Sequence, residues 1–215
     1  MNNPSDAPKT LSPRRQRRRE RTIEAILEHA RAIMRESGVA ALTMHELARR
    51  LEMRPPSLYN YFDGLMDIYD ALFRLGFTLW GEHLREYTQN ASTWQEEVRL
   101  VMEAYLTFAI QNPELFQLCF ERPVPGFTPS EASLELSFGI LEDAYQRAAR
   151  IKTSLQTALT REQIADLVIA VSHGLTALHM ANEPFLPLGQ GRFGALIPAA
   201  LTLFDKAWSP PSDGN

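Results

Sequence analysis

Two stretches near the start of the chain carry side chains that could bind a polyanion. The first is an arginine-rich run, RRQRRRER, at residues 14–21. It stands where a helix is predicted to begin, and cations at that end oppose the helix macrodipole, so helix stability does not explain it. The second stretch, MRPPSLYNYF at residues 53–62, joins two prolines to hydroxyl, phenol and amide groups. Guanidinium groups suit phosphate oxygens, and amides suit base edges, so both stretches indicate nucleic-acid chemistry.

Catalytic and metal-binding chemistry is not indicated. His173 and His179 are six residues apart, which places them about 240° apart around a helix, too far to share a metal ion easily. We find no nucleophile-elbow, metalloprotease or glycine-rich phosphate motif. Cys119 is the only cysteine, so there is no internal disulfide and no thiolate set for zinc. We therefore predict no enzymatic activity, no metal and no cofactor.

The charge distribution divides the chain into two parts. Residues 1–62 carry 12 Lys+Arg against 7 Asp+Glu, whereas residues 63–215 carry 10 against 19. This asymmetry predicts a basic module that meets an anion, joined to an acidic module with a different role. There is no N-terminal apolar run to act as a signal peptide, and charges interrupt the apolar stretches before the roughly 20 residues that span a bilayer. These features predict a cytoplasmic protein without a membrane partner.

The basic module is predicted to begin with two helices. Apolar residues recur at helical spacing over 23–34, and Gly38 suits the position just past the end of that first helix. Thr43 and Glu46 have the spacing of a capping box, which predicts a second, short helix that extends to about Leu51. These two helices must position whatever follows them.

The third helix is predicted to start abruptly at the two prolines. Pro55 forces Arg54 out of the helical region, while its own φ suits a first helical residue. If the helix continues to Phe62, its geometry points Leu58 and Phe62 inward. The residues expected on the outer face or its flanks are Pro56, Ser57, Tyr59 and Asn60. A polar and aromatic outer face on the second of two closely spaced helices is typical of a helix-turn-helix motif.

The segment LTMHELARRLEMRPPSLYNYF, after a basic first helix, resembles the DNA-binding domain of TetR-family transcriptional regulators. The resemblance covers residues 15 to about 70. Glu52 stands where the family commonly has the turn glycine, and a left-handed conformation there costs roughly 1–2 kcal/mol. Leu65 stands where a lysine often binds phosphate. We expect a slightly altered turn and one fewer bond to the DNA backbone. The matching positions are Thr43, Leu47-Ala48, Leu58-Tyr59 and Phe62.

Base recognition and phosphate binding are expected to fall on different residues. Asn60 can pair with adenine through two hydrogen bonds, and the prolines offer apolar surface to thymine methyls. Because proline has no backbone N–H, phosphates must be bound by side chains. The residues predicted to contact double-stranded DNA are Arg14, Arg15, Arg17, Arg18, Thr43, His45, Arg54, Pro55, Pro56, Ser57, Tyr59, Asn60 and Tyr61.

Two other interpretations remain open. The arginine run could serve an RNA-binding or membrane-surface protein, and binding would then survive Asn60→Ala but collapse when residues 14–19 are neutralised. Alternatively, the chain could be an all-helical enzyme or carrier with a vestigial N-terminal domain, which would stay active after deletion of residues 1–62.

The complete chain is predicted to be all-α, with about nine helices. A long helix from Gly64 onward connects the two modules, and further helices are expected near 93–111, 113–121, 130–151, 160–181 and 191–208. The predicted divisions are a disordered basic leader at 1–14, a helix-turn-helix domain at 15–64, an effector-binding and dimerisation domain at 65–208 and a disordered tail at 209–215.

The segment VSHGL at residues 171–175 resembles a His-Gly signature in the effector domain of one TetR branch. This resemblance implies a homodimer formed through the last two helices, about 163–181 and 191–208, on a palindromic operator. We expect a small-molecule effector to shift the long connecting helix, change the spacing of the two recognition helices and weaken DNA binding.

Aromatic residues at helical spacing in the second module are predicted to line an apolar effector pocket with a few polar groups. The predicted pocket residues are Trp94, Tyr105, Phe108, Phe116, Phe138, Tyr145, His173 and Thr176. Tyr105, His173 and Thr176 are the expected polar contacts.

Overall fold

A computed structural model describes residues 12–209, and every regular element in that range is helical. A 3₁₀ turn at Val39–Ala41 precedes the second helix, another at Gly194–Leu196 precedes the last helix, and a π-helical turn at Gln117–Glu121 continues the short helix Pro113–Phe116. The predicted all-α fold is confirmed for this part of the chain. The helices are α1 (Pro13–Ser37), α2 (Met44–Arg50), α3 (Pro55–Leu58), α4 (Leu65–Thr88), α5 (Trp94–Gln111), α6 (Pro113–Phe116), α7 (Glu131–Lys152), α8 (Arg161–Asn182) and α9 (Ile197–Trp208).

The first helix begins earlier than the sequence predicts. Pro13 occupies its first position, so Arg14 is helical and does not belong to an extended leader. A proline is favoured there because its missing N–H would have no partner in the helix. The rest of the predicted leader and of the predicted tail, residues 1–11 and 210–215, lies outside the described residues.

Side-chain caps set the start of several helices. Thr160 and Gln163 form a complete capping box at the start of α8, with hydrogen bonds of 3.2 and 2.9 Å. The box predicted at the start of α2 is only half formed. The Thr43 hydroxyl accepts from the Glu46 amide at 3.2 Å, but the Glu46 carboxylate accepts from Arg49 and Arg50 instead of turning back to Thr43. Two guanidinium groups outcompete a single backbone N–H for this carboxylate.

One hydrophobic core connects the N-terminal helices to α4 and α6. Ile26 of α1, Leu58 of α3 and Leu72 of α4 are all fully buried in it. The phenol of Tyr69, also buried, donates to the backbone carbonyl of Val39 at 2.7 Å and so fixes α4 against the turn before α2. The helix-turn-helix unit is therefore packed onto the rest of the molecule.

A second core lies between α5, α7, α8 and α9. It includes Ile164 of α8, Phe204 of α9 and the tilted pair Trp94 and Trp208, whose ring centroids are 5.8 Å apart. Among the described helices, α8 is long and apolar enough to cross a membrane by length and composition. However, α8 packs against both α5 and α7, as a core helix of a globular protein does.

Candidate nucleic-acid interface and apolar cavity

The third helix starts as the prolines predict. Arg54 is extended, with φ −75° and ψ 134°, and Pro55 and Pro56 occupy the first two helical positions. Both prolines are exposed, whereas Leu58 is fully buried beneath them. The predicted inward and outward faces of this segment are therefore present.

The third helix is shorter than predicted, because its α-helical part ends at Leu58 instead of continuing to Phe62. The amides of Asn60 and Tyr61 donate to carbonyls three residues back, at 3.3 and 2.9 Å, which is the tighter 3₁₀ pattern. The Asn60 carbonyl, which a longer helix would use, instead accepts from Arg19 Nη1 at 2.6 Å. A tertiary hydrogen bond thus replaces the next turn of helix.

The surface formed by residues 54–61 is called here the recognition surface. Asn60 is exposed and Tyr59 is 55% exposed, so both side chains can reach a partner. Tyr61 is half-buried, and the Arg19 guanidinium lies 5.3 Å from the centroid of its ring. Ser57 is also half-buried. Besides the Arg54 guanidinium, the exposed groups are the apolar prolines, one amide and one phenol, which are suited to contact base edges.

A cluster of exposed arginines without ion-pair partners within residues 12–209 lies on the first two turns of α1. Arg14, Arg15, Arg17 and Arg18 are exposed, and none forms an ion pair within residues 12–209. Arg54 at the start of the recognition surface is likewise exposed and without an ion-pair partner in that range. These guanidinium groups can bind phosphates without first breaking an internal salt bridge.

The arginines of α2 are already neutralised. Arg50 binds Glu36 at 2.6 Å and Glu46 at 2.8 Å, and Arg49 binds Glu46 at 2.7 Å. Hydrogen bonds from Arg49 and Arg50 lower the pKa of Glu46 to about 2. At the start of the same helix, His45 is exposed, while the Thr43 hydroxyl is occupied as the cap.

Arg19 belongs to the arginine run but is absent from the predicted DNA contacts, and its structural role was not predicted. It is the only member of the run whose guanidinium contacts the recognition surface within the described residues. Its presence in the same run was an available signal, but its target lies 41 residues away in sequence, so the pairing could not be inferred.

The turn between α2 and α3 is formed without glycine. Glu52 itself adopts the left-handed conformation, with φ 52°. The Met53 amide donates to the Ala48 carbonyl at 2.9 Å, which is the long hydrogen bond of a Schellman motif. Glu52 therefore adopts a backbone conformation that glycine takes most readily, and the expected strain falls on this residue. Leu65, the second departure, packs its half-buried side chain against the core at the start of α4.

An apolar cavity of about 290 Å³ lies between α4, α5, α7 and α8. Two of the polar residues in its wall have satisfied hydroxyls, since Ser137 donates to the Leu134 carbonyl at 2.8 Å and Ser172 to the Val168 carbonyl at 2.6 Å. The remaining polar groups in the wall belong to Glu97, Tyr105 and Arg147. Apolar wall residues include Phe77, Trp80, Val101, Phe120, Ile140 and Val168.

The cavity wall contains two charged side chains, Arg147 and Glu97. Arg147 donates to the Thr88 hydroxyl at 3.0 Å, and burial lowers the pKa of its guanidinium. Burial also raises the pKa of the Glu97 carboxyl, whose nearest cationic atom is Arg150 Nη2 at 3.7 Å. Incompletely paired charges in an apolar wall are suitable groups to orient a ligand.

Of the predicted pocket residues, only Tyr105 and Phe138 line this cavity. The Tyr105 hydroxyl is hydrogen-bonded to His173 Nδ1 at 3.1 Å, and Phe116 stacks on that imidazole with ring centroids 5.9 Å apart. His173 and Phe116 thus lie behind the wall and support Tyr105. Phe108 likewise packs behind Trp80, at 5.5 Å between ring centroids.

The prediction is wrong for the other three pocket residues, which neither line the cavity nor support its wall. Trp94 belongs to the second core, where it packs on Trp208. Tyr145 points its hydroxyl to Asp166 at 3.4 Å on the surface. Thr176 is buried but is not part of the wall. Helical spacing identified these side chains as core-facing without showing which core they face.

The sequence prediction missed Trp80, Phe77 and Phe120 as aromatic wall residues, and Glu97 and Arg147 as charged ones. Phe77, Trp80 and Leu84 follow the i, i+3, i+7 spacing of one helix face, so the aromatic signal on α4 was present. Within the described residues, no group of three or more metal-ligating side chains occurs. Cys119 is buried, and burial raises the pKa of its thiol, so it behaves as a neutral core residue.

An unpartnered apolar face lies on the last two helices. Several leucines of α8 and of the segment that forms α9 are exposed, and Leu203 reaches 70% exposure. Leu167 and Leu178 are 11 residues apart and so lie on one face of α8, and exposed leucines of this kind indicate an interaction surface. The exposed members are Leu167, Leu178, Leu196 and Leu203.

The chain matches two family models over more than half of its length. The model described as bacterial regulatory proteins, tetR family, matches residues 26–72, and the tetracyclin repressor-like C-terminal domain matches residues 98–197. The chain therefore belongs to the TetR family. The first match covers most of the helix-turn-helix unit and the start of α4, and the second covers most of α5 and all of α6, α7 and α8.

Individual relatives cover part of the chain. The uncharacterized HTH-type transcriptional regulator YobS of Bacillus subtilis is 29% identical over 96 residues, which are 45% of this chain and 50% of YobS. The chain spans about half the length of the curated relatives it matches.

Solved structures share the fold over most of the chain. The fatty acid degradation regulator FadR from Bacillus halodurans aligns with a TM-score of 0.69 and 13% identity, covering 91% of this chain and 96% of FadR. FadR from Bacillus subtilis, solved in complex with stearoyl-CoA, aligns with a TM-score of 0.62 and 16% identity, covering 84% and 96%. At these identities the likeness shows the fold alone.

Proposed function

We propose that this protein is a sequence-specific DNA-binding transcriptional regulator, and that it represses transcription until a small molecule releases it from its operator. The observation that carries the proposal is the recognition surface: Pro56 and Asn60 are exposed beside the unpaired arginines of α1. A helix start of this kind can enter a major groove while the arginines bind the flanking phosphates. The regulator acts in the cytoplasm, as a DNA-binding protein and not as an enzyme.

The proposal includes a homodimer formed through α8 and α9. The exposed leucines of these helices supply an apolar face that a second copy would bury. A two-fold interface of this kind would place two recognition surfaces on one DNA duplex, so the operator should be palindromic. Analytical ultracentrifugation of Leu203→Glu, which puts a charge at the most exposed of these leucines, should detect a shift toward monomer.

The effector proposed for the cavity is an elongated apolar molecule with one polar end. The wall is almost entirely apolar, and its charged groups, Glu97 and Arg147, can orient a polar end. Because FadR of Bacillus subtilis was solved with stearoyl-CoA, fatty acids and their CoA thioesters are the first compounds to test. Titration of such compounds should release DNA from the protein in a fluorescence anisotropy assay.

The decisive experiment is selection of bound DNA from random duplexes with the purified full chain. Enrichment of a two-fold symmetric site is the expected result. No enrichment of any sequence would contradict the proposed function. The selected duplex then separates the alternatives, because Asn60→Ala should weaken binding to it by about 1–3 kcal/mol while leaving binding to random DNA unchanged.

RNA and anionic vesicles are the matched competitors in that assay. If the arginine run serves RNA or a membrane surface, Asn60→Ala should leave binding to them intact, and neutralisation of residues 14–19 should abolish it. Preference of the wild-type protein for either competitor over the selected duplex would favour the alternative interpretation.

A further inference from the structure

The most deeply buried charged side chain in the described part of the chain joins α6 to α1. Glu114 in α6 is 2% exposed. Its carboxylate accepts from Arg31 Nε at 2.7 Å and from Arg35 Nε at 2.9 Å, and both arginines belong to α1. A further bond of 2.8 Å joins Arg31 Nη2 to the Asn112 side chain beside the start of α6. The cluster therefore crosses from the helix-turn-helix unit to the domain with the cavity.

The segment that contains Glu114 also reaches the cavity wall. The α6 helix continues directly into the π-helical turn Gln117–Glu121, which carries Phe120. Phe120 lines the cavity, and its ring centroid lies 5.3 Å from that of Tyr105 and 6.3 Å from that of Trp80. A single π-helical turn within a helical segment is uncommon and is often found at functional sites. A ligand in the cavity would contact the same short segment that places Glu114.

The other end of the connection is the recognition surface. Arg31 and Arg35 lie near the C-terminal end of α1, and Arg19 lies about three turns before Arg31 on the same unbroken helix. Arg19 binds the Asn60 carbonyl at 2.6 Å and covers the ring of Tyr61. A movement of α1 along or about its axis would therefore move the residues that hold the end of the recognition surface.

We propose that Glu114 is a positioning residue through which the occupied cavity changes DNA affinity. A ligand displaces Phe120 and the start of α6, and the ion pairs of Glu114 carry that displacement to α1 and its Arg19. Because a carboxylate buried this deeply is costly to separate from its cationic partners, α6 and α1 move together. The inference rests on the proposed function. The link from α6 to α1 is a second connection between the two domains, beside the long α4 helix, which is fixed to the helix-turn-helix unit through Tyr69 and Val39.

A double-mutant cycle on DNA affinity tests this coupling without knowledge of the effector. Ala144 of α7 lies in the cavity wall, so the larger side chain of Ala144→Phe should occupy part of the space that a ligand would fill. Affinity for the selected duplex is measured by fluorescence anisotropy for the wild type, Ala144→Phe, Glu114→Gln and the double variant. We expect Ala144→Phe to weaken binding about tenfold in the wild type and less than about threefold in the Glu114→Gln background.

The matched control removes the same chemical group elsewhere. Glu103 pairs with Arg99 within α5 at 2.9 Å and makes no bond to α1, so Glu103→Gln should preserve the full effect of Ala144→Phe. Arg31→Gln, which breaks the cluster from the α1 side, should reduce the effect of Ala144→Phe to less than about threefold, as Glu114→Gln does. If Ala144→Phe does not fold, Ala144→Leu replaces it with a smaller filling.

Two results would overturn the inference while leaving sequence-specific DNA binding intact. One is an equal effect of Ala144→Phe in the wild-type and Glu114→Gln proteins, which would show that coupling does not pass through Glu114. The other is unchanged affinity of both cavity-filling variants, which would show that the cavity does not communicate with the recognition surface. Failure of the wild-type protein to bind any selected duplex would instead contradict the proposed function itself.

Discussion

The recognition surface and the cavity use their functional side chains in opposite ways. Pro56 and Asn60 are exposed, and the stability of the fold does not depend on packing them. Trp80 and Phe120 of the cavity wall, by contrast, are also part of the aromatic packing of the core. Mutations at the recognition surface should therefore change DNA affinity without changing the stability of the fold. Mutations around the cavity should change ligand binding and stability together. Mutations in the two regions can test this difference directly.

The largest expected effect is on stability, behind the cavity wall. Phe116 is 1% exposed and packs against Tyr105, Phe120 and His173, so Phe116→Ala should lower the free energy of unfolding by about 3–5 kcal/mol. Phe185 is the matched control, because it is 95% exposed, and Phe185→Ala should change stability by less than about 0.5 kcal/mol. Urea unfolding measures both. Similar losses in the two variants would contradict the packing described for Phe116.

The next effect is on DNA affinity, with stability retained. Replacing Arg14, Arg15, Arg17 and Arg18 by Gln should weaken binding to every duplex sequence, and the slope of log K against log salt should become shallower by about 0.9 for each phosphate that is no longer neutralised. Stability should rise slightly, because four cations leave the N-terminal end of α1. Anisotropy titrations at several salt concentrations provide the measurement.

A control for the arginine variant is Arg74→Gln on α4. Arg74 is exposed and pairs with Asp70 at 3.1 Å. Neither residue belongs to the recognition surface. Its removal should leave the salt slope unchanged. An unchanged slope in the four-residue variant as well would mean that α1 does not bind phosphate.

The recognition surface was predictable where its geometry is local. The extended Arg54 follows from the ring of Pro55, and the burial of Leu58 follows from helical spacing. The end of α3 was not predictable, since it depends on a bond between Arg19 and Asn60 that no local signal encodes. Proline stereochemistry acts between neighbours, whereas the length of a short helix is decided by tertiary partners.

For the second module, the sequence predicted that an apolar core of helices exists, but not which side chains line the cavity. Trp94 and Tyr105 occupy the same helix, α5, yet Trp94 packs on Trp208 and Tyr105 faces the cavity. A helical period shows that a side chain turns inward, but not which of two cores it enters. Glu97 and Arg147 were missed because charged side chains on long helices usually face solvent, and only packing shows that these two are partly buried.

A smaller effect concerns the left-handed residue beside the recognition surface. Glu52→Gly should raise the free energy of unfolding by about 1 kcal/mol, since glycine adopts φ 52° without the steric cost of a Cβ atom. The same substitution at Glu24, an exposed position within α1, should lower it by about 0.5–1 kcal/mol. Thermal or urea unfolding of the two variants should thus give opposite signs. Destabilisation by Glu52→Gly would show that the turn does not carry the strain assigned to it.

The smallest effect separates the two regions by the sign of their pH dependence. Glu46 near the recognition surface has its pKa lowered to about 2 by Arg49 and Arg50, so its stabilising contribution is present above about pH 4.5 and is lost as the pH falls toward 2. Glu97 in the cavity wall has its pKa raised by burial, so its charged form opposes folding at neutral pH, and that cost disappears as the pH falls through its folded pKa. Protonation therefore weakens the fold at one site and favours it at the other.

Two isosteric variants make this contrast measurable by urea unfolding between pH 7 and pH 3. Glu46→Gln should be less stable than the wild type at pH 7, and the difference should shrink below about pH 4.5, where the wild-type carboxylate begins to lose its advantage. Glu97→Gln should be more stable than the wild type at pH 7, and its advantage should also vanish on acidification. If Glu97→Gln is instead less stable than the wild type at pH 7, as Glu46→Gln is, the Glu97 carboxylate has a stabilising partner and is not free to orient a ligand.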